Sequence, residues 1–450
     1  MIAVLAHTHP SITSGGAEIS AYTLYRGLRE AGLACCFIAA CPEHQIGRVR
    51  LDTPDEHILP IRPETYDHFF HIAEPALRQR LDAMLDELGA TTLVFHHFLN
   101  FGLNTVRDLA ARPGRRSLLV LHEFLAICQH HGQMVTRPAL RLCEAASPGA
   151  CVACFDGSTP DAFRLRQRHF LDAFEAIDRF VSPSEFLRAR FDAWGLPASR
   201  IAMIENAVAR LPEPEPEPEA VIAAGHNSAA QDEIVIGYFG QINPFKGIDL
   251  LLDAVDLLKK DDGLTQRLRI RIHGPLVGVS DEFRARFEKL IEKHAWLEYL
   301  GPYQNDRVFE LMRECSFVLM TSKWWENSPV VIQEAHACGR PLIVPGIGGM
   351  KEKVVDGVNG LNFRVGDARD LLRAFRQACD PAVSARLRQH LPGAVTPFTM
   401  ARRYLDWMDA ETPAPTLAAP ATASAPPAGR PFPIPVTSSS TPLIPTETSP

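Results

Sequence analysis

Hydrophobic and polar residues follow two different periods along this chain. Short runs of apolar or β-branched residues, typical of buried strands, are separated by longer stretches in which apolar residues recur at helical spacing. In the first half, the predicted strands are residues 2–6, 33–39, 92–95, 117–121, 179–181 and 201–204. The predicted helices between them are residues 17–30, 75–88, 100–111, 161–177 and 184–194.

The second half repeats this alternation. Its predicted strands are residues 234–239, 268–272, 316–320, 341–344 and 360–363, and its predicted helices are residues 248–259, 281–294, 306–314, 329–337 and 368–378. Alternating strands and helices predict an α/β protein whose parallel sheets are covered on both faces. Ligands of such sheets bind at the carboxyl ends of the strands, so two sheets facing one central cleft would suit an enzyme with two substrates.

Two helix starts carry a serine–proline signal. At residues 182–185 we predict Ser182 as the N-cap, Pro183 as the first helical residue and Glu185 as the partner in a capping box. Ser328 and Pro329 predict a second helix start in the same way.

Composition marks two segments outside this pattern. Proline and glutamate alternate from Pro212 to Glu219, which predicts an extended spacer. Eleven of the 36 prolines lie in the last 39 residues, where Arg430 and Glu447 are the only charges, so we expect a disordered tail. The predicted organisation is an N-terminal Rossmann-like domain at 1–211, a linker at 212–232, a second Rossmann-like domain at 233–397, a final helix at 398–410 and the tail at 411–450.

Charge and hydropathy exclude several classes of protein. A net charge of −7 argues against a protein that mainly coats nucleic acid. The N-terminus has no signal-peptide pattern, and the longest apolar run, residues 33–41, is shorter than the ~20 residues that span a bilayer. We therefore expect a cytoplasmic protein, and ten cysteines in 450 residues fit a reducing compartment.

Several common catalytic motifs are missing from the sequence. It contains no G-x-G-x-x-G fingerprint, no Walker motif, no H-E-x-x-H zinc helix and no D-x-D pair for a metal-bound diphosphate. Dinucleotide oxidoreductases and P-loop phosphotransferases are therefore disfavoured.

Glycines follow two of the predicted strands at points where a helix begins. Gly15 and Gly16 follow the first strand, and Gly240 opens the segment that leads to Lys246. Backbone N–H groups at such turns can bind an anion, and a lysine adds a point charge for phosphate oxygens. The alternative interpretation is two ordinary strand-to-helix turns with a solvated lysine.

The segment from Trp325 to Ala335 is the most informative one. Glu326 lies in a loop, and Glu334 lies about one and a half turns into the following helix. Ser328 and the free N–H groups of the first turn can hold a phosphate, while a carboxylate can accept two hydrogen bonds from a vicinal diol. The alternative is that both glutamates are surface charges.

These motifs resemble those of glycosyltransferase family 4. The second half is similar to the family's donor-binding domain at residues 237–241, 246–249, 300–303, 326–334, 337–341 and 356–361, where 326–334 matches the E-x7-E motif. The first half is similar to its acceptor domain at residues 15–18, 96–98, 121–123 and 181–185. The resemblance covers residues 1–408.

The resemblance implies a GT-B fold with a closing helix that crosses back to the first domain. It also implies a retaining enzyme that moves a sugar from a nucleoside diphosphate donor to a hydroxyl of a glycan or lipid-linked acceptor, in polysaccharide or glycoconjugate biosynthesis. Family members do not require a metal for catalysis, which agrees with the missing D-x-D pair.

The resemblance also assigns roles to individual residues. The implied catalytic residues are Glu326, His122 and Lys246. The implied donor-binding residues are Gly15, Gly16, Gly240, Gln241, Asn243, Lys246, Ser328, Pro329, Val330 and Glu334. His97 and Glu123 are the implied acceptor-side residues, and Gln241 departs from the arginine found in many relatives.

Cys128, Cys143, Cys151 and Cys154 lie within 27 residues, close enough in sequence to form a structural zinc or iron–sulfur site. The alternative is a set of reduced cysteines in an ordered loop. The arginines of residues 161–177 form either a solvated helix face or a basic surface for a lipid-linked acceptor, with peripheral contact at the inner face of the membrane.

Two other functions remain open at this point. A catalytically silent GT-B protein that binds partners is one, although both glutamates and Lys246 are present. A GT-B sugar-nucleotide epimerase or phosphorylase is the other, although its acid–base or cofactor residues are not evident.

Overall fold

The computed structural model describes residues 1–13, 15–212, 233–259 and 261–410. The predicted linker beyond Pro212 and the predicted tail at 411–450 lie outside these residues. The described chain forms two compact units. One contains residues 1–211, 327–330 and 394–410, and the other contains residues 233–326 and 331–393.

The first unit is built on a seven-stranded parallel sheet with the strand order β3-β2-β1-β4-β5-β6-β7. The strands are β1 (Ile2–Ala6), β2 (Cys35–Pro42), β3 (Glu56–Ile61), β4 (Thr92–Phe95), β5 (Arg116–Val120), β6 (Arg179–Ser182) and β7 (Ile201–Met203). The helices are α1 (Gly16–Glu30), α2 (Pro75–Glu87), α3 (Leu103–Ala110), α4 (Pro148–Val152), α5 (Pro160–Glu175) and α6 (Glu185–Trp194).

The second unit is built on a six-stranded parallel sheet with the order β10-β9-β8-β11-β12-β13. Its strands are β8 (Ile234–Phe239), β9 (Leu268–His273), β10 (Leu297–Gly301), β11 (Phe317–Leu319), β12 (Leu342–Pro345) and β13 (Gly360–Phe363). Its helices are α7 (Ile248–Leu258), α8 (Asp262–Thr265), α9 (Asp281–Lys293), α10 (Val308–Arg313), α11 (Val330–Ala337), α12 (Gly348–Lys353), α13 (Ala368–Ala378) and α14 (Pro381–Arg388).

The final helix, α15 (Pro397–Asp409), packs on α1 within the first unit. Met400 and Tyr404 are buried in the same core as Leu24 and Tyr25. The two helices approach so closely that a Cβ atom on Gly27 would lie 2.1 Å from the carbonyl oxygen of Pro397. Glycine is therefore required where these helices cross.

The α/β prediction and the parallel sheets are confirmed, but two strands were missed. β3 and β10 are the first strands in the two sheet orders, so each pairs on one side only. Edge strands tolerate charged residues and proline, and β3 carries Glu56 and Pro60 while β10 carries Glu298. Their apolar signal is therefore too weak for detection by pattern.

The capping box predicted at Ser182 is wrong by two residues. Helix α6 begins at Glu185, and its N-cap is Ser184, whose hydroxyl accepts a hydrogen bond from the backbone N–H of Leu187 at 3.2 Å. Ser182 instead ends β6 and donates its hydroxyl to the carbonyl oxygen of Ser184 at 2.7 Å. Two serines that flank a proline are both plausible caps, and the register of the preceding strand decides between them.

Among the residues that the structure describes, no helix has the length and apolar character needed to cross a membrane.

Candidate functional site

Two loops meet at the carboxyl edge of the second sheet. The first follows β8 and the second follows its parallel neighbour β11. The backbone N–H of Lys323 donates to the carbonyl oxygen of Phe245 at 2.9 Å, and the Thr321 hydroxyl donates to that of Lys246 at 2.7 Å. Gly247, with φ +69°, ends the first loop, and a Cβ atom there would lie 2.0 Å from the carbonyl oxygen of Thr321. The close contact between the loops therefore depends on glycine.

This contact brings together two of the predicted site residues. The Lys246 ammonium lies 2.6 Å from Oε1 of Glu326. The same carboxylate oxygen accepts the Ser322 hydroxyl at 2.8 Å and the Trp324 indole N–H at 2.8 Å. The Glu326 side chain is 13% exposed. Burial alone would raise its pKa, but the charge and hydrogen bond of Lys246 and the two neutral donors lower the pKa below its usual value.

An aromatic stack supports the lysine. The rings of Phe245 and Trp324 are stacked, with centroids 5.2 Å apart and planes at 16°. The Lys246 Nζ atom lies 5.5 Å from the centroid of the Trp324 ring, within the range of a cation–π contact. The ammonium is therefore held by both a carboxylate and an aromatic face.

The shape of the loop after β8 is set by hydrogen bonds of its own residues. The Asn243 side-chain oxygen accepts from the backbone N–H groups of Phe245 at 3.1 Å and Lys246 at 2.9 Å. The Tyr238 hydroxyl donates to the carbonyl oxygen of Gln241 at 2.8 Å. Asn243 thus shapes the turn that presents Lys246, in addition to the donor-binding role implied for it.

Glu334 lies in a very different environment from Glu326. Its residue is 9% exposed on α11, and no hydrogen bond to its carboxylate is found within the described part of the chain. Burial raises the pKa of this carboxyl to about 7. The second glutamate of the motif is therefore a buried acceptor whose lone pairs are available to a ligand.

The start of α11 differs from the prediction by one residue. The helix begins at Val330, and Pro329 precedes it instead of forming its first turn. The Ser328 hydroxyl is buried and makes no hydrogen bond to any described residue, so it does not cap the helix. Ser328 therefore has an unused donor and acceptor next to the first N–H groups of α11.

The carboxyl edge of the first sheet carries two histidine–carboxylate pairs. Nε2 of His7 lies 3.1 Å from Glu18, and Nε2 of His97 lies 2.9 Å from Glu123. The two imidazole rings are 5.2 Å apart, so the pairs are neighbours. The structure thus connects the predicted residues His97 and Glu123 with a pair that the motif search did not assign to the site.

The hydrogen bonds of His97 define its protonation state. Its Nδ1 accepts the backbone N–H of Leu99 at 2.8 Å, which leaves the proton on Nε2 for donation to Glu123. Burial lowers the pKa of His97 in spite of the opposing charge of Glu123. His97 is therefore a neutral donor at neutral pH.

His122 belongs to a second pair of imidazoles in this unit. Its Nε2 lies 3.1 Å from Nδ1 of His96, and the two rings are stacked with centroids 5.2 Å apart. Burial, with the neighbouring histidines, lowers the pKa of His122 well below its usual value. The fully buried His96 also stacks on Tyr404 of α15, at 6.4 Å. The final helix thus supports the histidine that the resemblance places near the reaction centre.

Gly15 and Gly16 form the entry to α1 in the same unit. Helix α1 begins at Gly16, and Gly15 is its N-cap residue with extended backbone and no side-chain cap. A Cβ atom on Gly15 would lie 2.5 Å from a carboxylate oxygen of Glu18. The glycine therefore leaves room for the carboxylate that pairs with His7.

The four clustered cysteines lie in the segment between β5 and α5. Burial raises the pKa of Cys128, Cys143 and Cys151, to about 11 for the last two, and the thiols are close enough to influence one another. Within the described residues, no three histidine, cysteine or acidic side chains are arranged to hold a metal ion. The zinc or iron–sulfur site at Cys128, Cys143, Cys151 and Cys154 stays a prediction, which elemental analysis of the purified protein would test.

Four residues that matter to these sites were missed in the sequence. Trp324 and Ser322 lie within four residues of Glu326, and His7 and Glu18 follow the first strand and open α1. Their position at carboxyl strand ends was the available signal. Which polar atoms they reach depends on loop conformation, which no spacing rule specifies.

Two family models match this chain. The model described as Glycosyltransferase Family 4 matches residues 14–210, and that described as Glycosyl transferases group 1 matches residues 223–389. Among curated relatives, D-inositol 3-phosphate glycosyltransferase of Geodermatophilus obscurus is 31% identical over 167 residues, which are 36% of this chain and 37% of that protein. The same enzyme of Nocardia farcinica is 28% identical over 233 residues, 50% of this chain and 49% of that protein. These alignments span less than half the length of either relative.

Solved structures show the same fold over most of the chain. HepE of Anabaena in complex with UDP has a TM-score of 0.62 at 16% identity, covering 90% of this chain and 98% of that chain. Sucrose-phosphate synthase of Thermosynechococcus elongatus has a TM-score of 0.65 at 19% identity, covering 90% and 97%. Glycosyltransferase family models thus match both halves of the chain in turn, and its two parallel-sheet domains have the GT-B fold of these solved structures.

Proposed function

We propose that this chain is a retaining glycosyltransferase that moves a sugar from a nucleoside diphosphate donor to a hydroxyl group of a glycan or lipid-linked acceptor. The observation that carries the proposal is the contrast between the two glutamates of the E-x7-E segment. Glu326 is ionised and paired with Lys246, whereas Glu334 is buried without a partner among the described residues. A ligand with both a diol and an anionic group would use both environments.

Glu334 is the proposed contact for the ribose of the donor. Its carboxylate can accept one hydrogen bond from each hydroxyl of a vicinal diol. A buried carboxylate with no partner is poorly solvated, so two such bonds would stabilise its charged form. Donor binding and ionisation of Glu334 would therefore favour each other.

The diphosphate would bind in the second unit at the loop after β8. Lys246 supplies a positive charge, and Gly240, Gln241 and Asn243 belong to the loop that presents it. Ser328 and the N–H groups that follow Pro329, beginning at Val330, belong to a segment that clusters with the first unit, and they offer neutral donors that an anion could use. Because Gln241 is uncharged, Lys246 would provide most of the charge compensation at this loop.

The reaction breaks the bond between the anomeric carbon and the phosphate oxygen, whose electron pair leaves with the nucleoside diphosphate. Donors that stabilise this leaving group lower the barrier most. The oxygen of the acceptor hydroxyl then bonds to the anomeric carbon from the face that the leaving group occupied, and its proton is released. Glu326 would contact the transferred sugar and His122, being neutral, would act as a hydrogen-bonding group near the reaction centre.

The first unit is the proposed acceptor side. His97 donates to Oε1 of Glu123 and holds that carboxylate in place, while Oε2 of Glu123 is buried without a hydrogen bond to any described residue. A carboxylate oxygen with unused lone pairs can accept a hydrogen bond from a hydroxyl group. These residues therefore support a hydroxyl-bearing acceptor.

Uridine donors are the first to test, because the HepE structures hold UDP and, in others of the series, UDP-glucose. The purified protein would be screened for thermal stabilisation by UDP, GDP and a panel of sugar nucleotides, since a ligand stabilises the folded state by mass action. Release of UDP or GDP from the stabilising donors, and the anomer of the product, would then be measured. A protein that is stabilised by none of them and releases no nucleotide would contradict the proposal, and an inverted product would contradict retention.

A further inference from the structure

Oxygen Oε1 of Glu326 accepts three hydrogen bonds from three different kinds of donor. Lys246 donates at 2.6 Å and carries a charge, whereas the Ser322 hydroxyl and the Trp324 indole N–H, each at 2.8 Å, are neutral. Within the described part of the chain, no other residue donates to either oxygen of this carboxylate. Its second oxygen is thus the one left for a ligand.

This inference rests on the proposed function, in which Lys246 interacts with two different anions. Its ammonium compensates the charge of Glu326 in the ligand-free protein, and it would also face the diphosphate of a bound donor. A carboxylate that is only 13% exposed becomes costly when its cationic partner turns away, because it is neither paired nor well solvated. Neutral donors that remain in place would offset that cost.

Contacts other than the cation–π contact with Lys246 also hold the Trp324 indole. Its ring is stacked on Phe245, and the backbone of Lys323, the residue before it, donates to the carbonyl oxygen of Phe245. Ser322 is 1% exposed, so its hydroxyl has little freedom to turn elsewhere. Both neutral donors therefore keep supporting contacts when the Lys246 ammonium moves.

We propose that Trp324, assisted by Ser322, is a positioning residue that keeps the Glu326 carboxylate charged and oriented when the Lys246 ammonium turns from Glu326 to an anionic ligand. Lys246 is the charged residue in contact with Glu326, and the hydroxyl of Tyr238 on β8 is a further titratable group near it. Trp324 acts on the reaction only through Glu326.

A simpler role for Trp324 is packing against Phe245. Trp324→Phe separates the two roles, because phenylalanine keeps an aromatic ring on Phe245 but has no N–H to donate. Its effect on melting temperature would be measured in three backgrounds: the otherwise native chain, Lys246→Met and Glu326→Gln. We expect the loss to be largest beside Lys246→Met, where the neutral donors act alone, and smallest beside Glu326→Gln, where the charge is gone.

Trp296→Phe is the matched control for loss of an indole in the same unit. Trp296 is buried in the core around β9 and β10, so its substitution should lower the melting temperature equally in all three backgrounds. Equal losses for Trp324→Phe in the three backgrounds would overturn the proposal. This measurement needs no substrate, so it decides the coupling even if the proposed function fails.

The kinetic consequence is tested with UDP-glucose as the probe, by release of UDP. Trp324→Phe should lower kcat about tenfold, as expected for one lost hydrogen bond to a charged group, with KM within about twofold. The acid limb of kcat at saturating UDP-glucose, where Glu334 is already bound to the donor, should move to higher pH, because fewer donors stabilise the Glu326 carboxylate. A lowered kcat with an unmoved acid limb would also overturn the positioning role of Trp324. A wild-type protein that neither binds UDP nor releases it would count against the proposed function alone.

Discussion

The acidic residues at the carboxyl edges of the two sheets have different partners. At the first edge, Glu18 and Glu123 pair with His7 and His97, and burial keeps His97 neutral. At the second edge, Glu326 pairs with the ammonium of Lys246. A neutral imidazole–carboxylate pair exchanges hydrogen bonds with uncharged hydroxyls, whereas an ammonium can also compensate phosphate charge. This difference shows that two sheets of the same type can carry edges suited to different ligands, one to uncharged hydroxyl groups and the other to phosphate groups.

The second edge also contains an internal contrast. Glu326 has three donors on one oxygen and a lowered pKa, while Glu334 has none among the described residues and a pKa raised to about 7. The two carboxylates of one motif therefore differ in their hydrogen bonding. The Glu326 carboxylate is hydrogen-bonded in the ligand-free state, whereas the Glu334 carboxylate has lone pairs free to accept hydrogen bonds from a ligand.

The largest effect is expected from Glu334→Ala. Loss of two hydrogen bonds to a carboxylate should weaken UDP binding by about a hundredfold or more. Calorimetric titration with UDP would measure it. Glu288→Ala is the matched control, because Glu288 is an exposed glutamate on α9 in the same unit, and it should bind UDP as the native protein does. Equal UDP affinities for the two variants would remove Glu334 from the site.

Lys246→Ala should reduce UDP release from UDP-glucose by about thirtyfold, because the leaving diphosphate loses its charge compensation. Lys289→Ala, at an exposed lysine of α9, controls for the loss of one positive charge from the unit. If both variants released UDP at the native rate, the second edge would not differ from the first in the way proposed.

The affinity for UDP should depend on pH through Glu334. The pKa of this buried carboxyl is about 7, and the deprotonated form accepts both ribose hydrogen bonds. Below pH 7 a proton must be released before the donor binds, so the affinity should fall by up to about tenfold per pH unit. Glu334→Gln should flatten this dependence between pH 5.5 and 7.5, the range in which titration calorimetry would follow it. A native profile that is already flat there would contradict the role of Glu334.

The smallest effect is expected at the first edge. His97→Ala should raise KM about threefold for the hydroxyl acceptor that most stimulates UDP release, because Glu123 loses the hydrogen bond that orients it, and such a bond contributes ~0.5–1.5 kcal/mol. UDP affinity should stay within about twofold of the native value, because His97 belongs to the other unit. A selective loss of UDP affinity would reverse the assignment of the two edges.

Much of the fold was accessible to pattern analysis because its central strands are buried on both faces. The central strands β1, β4 and β8 begin and end at the predicted residues, and so does the mostly buried edge strand β13. Pattern analysis did not detect the edge strands β3 and β10, because edge positions tolerate polar residues that weaken the apolar pattern. The short helices α12 and α14 were also missed, since few turns leave little periodicity to detect.

The candidate site was only partly accessible. Lys246, Glu326 and Glu334 could be named from their motif, and His97 and Glu123 from the resemblance of the first half. Their partners could not be named, because Trp324 reaches Glu326 only through the folded course of one loop, and His7 lies 90 positions from His97 in the chain.

The sequence by itself determined two parallel α/β domains, the family resemblance and the residues that we propose for donor binding. These follow from local periodicity and from motifs a few residues long, which act over one or two turns of chain. Only the tertiary structure decided the charge states of those residues. Whether a carboxylate is paired like Glu326 or left alone like Glu334 depends on burial and on donors brought from other loops, and these arise only when the chain is folded.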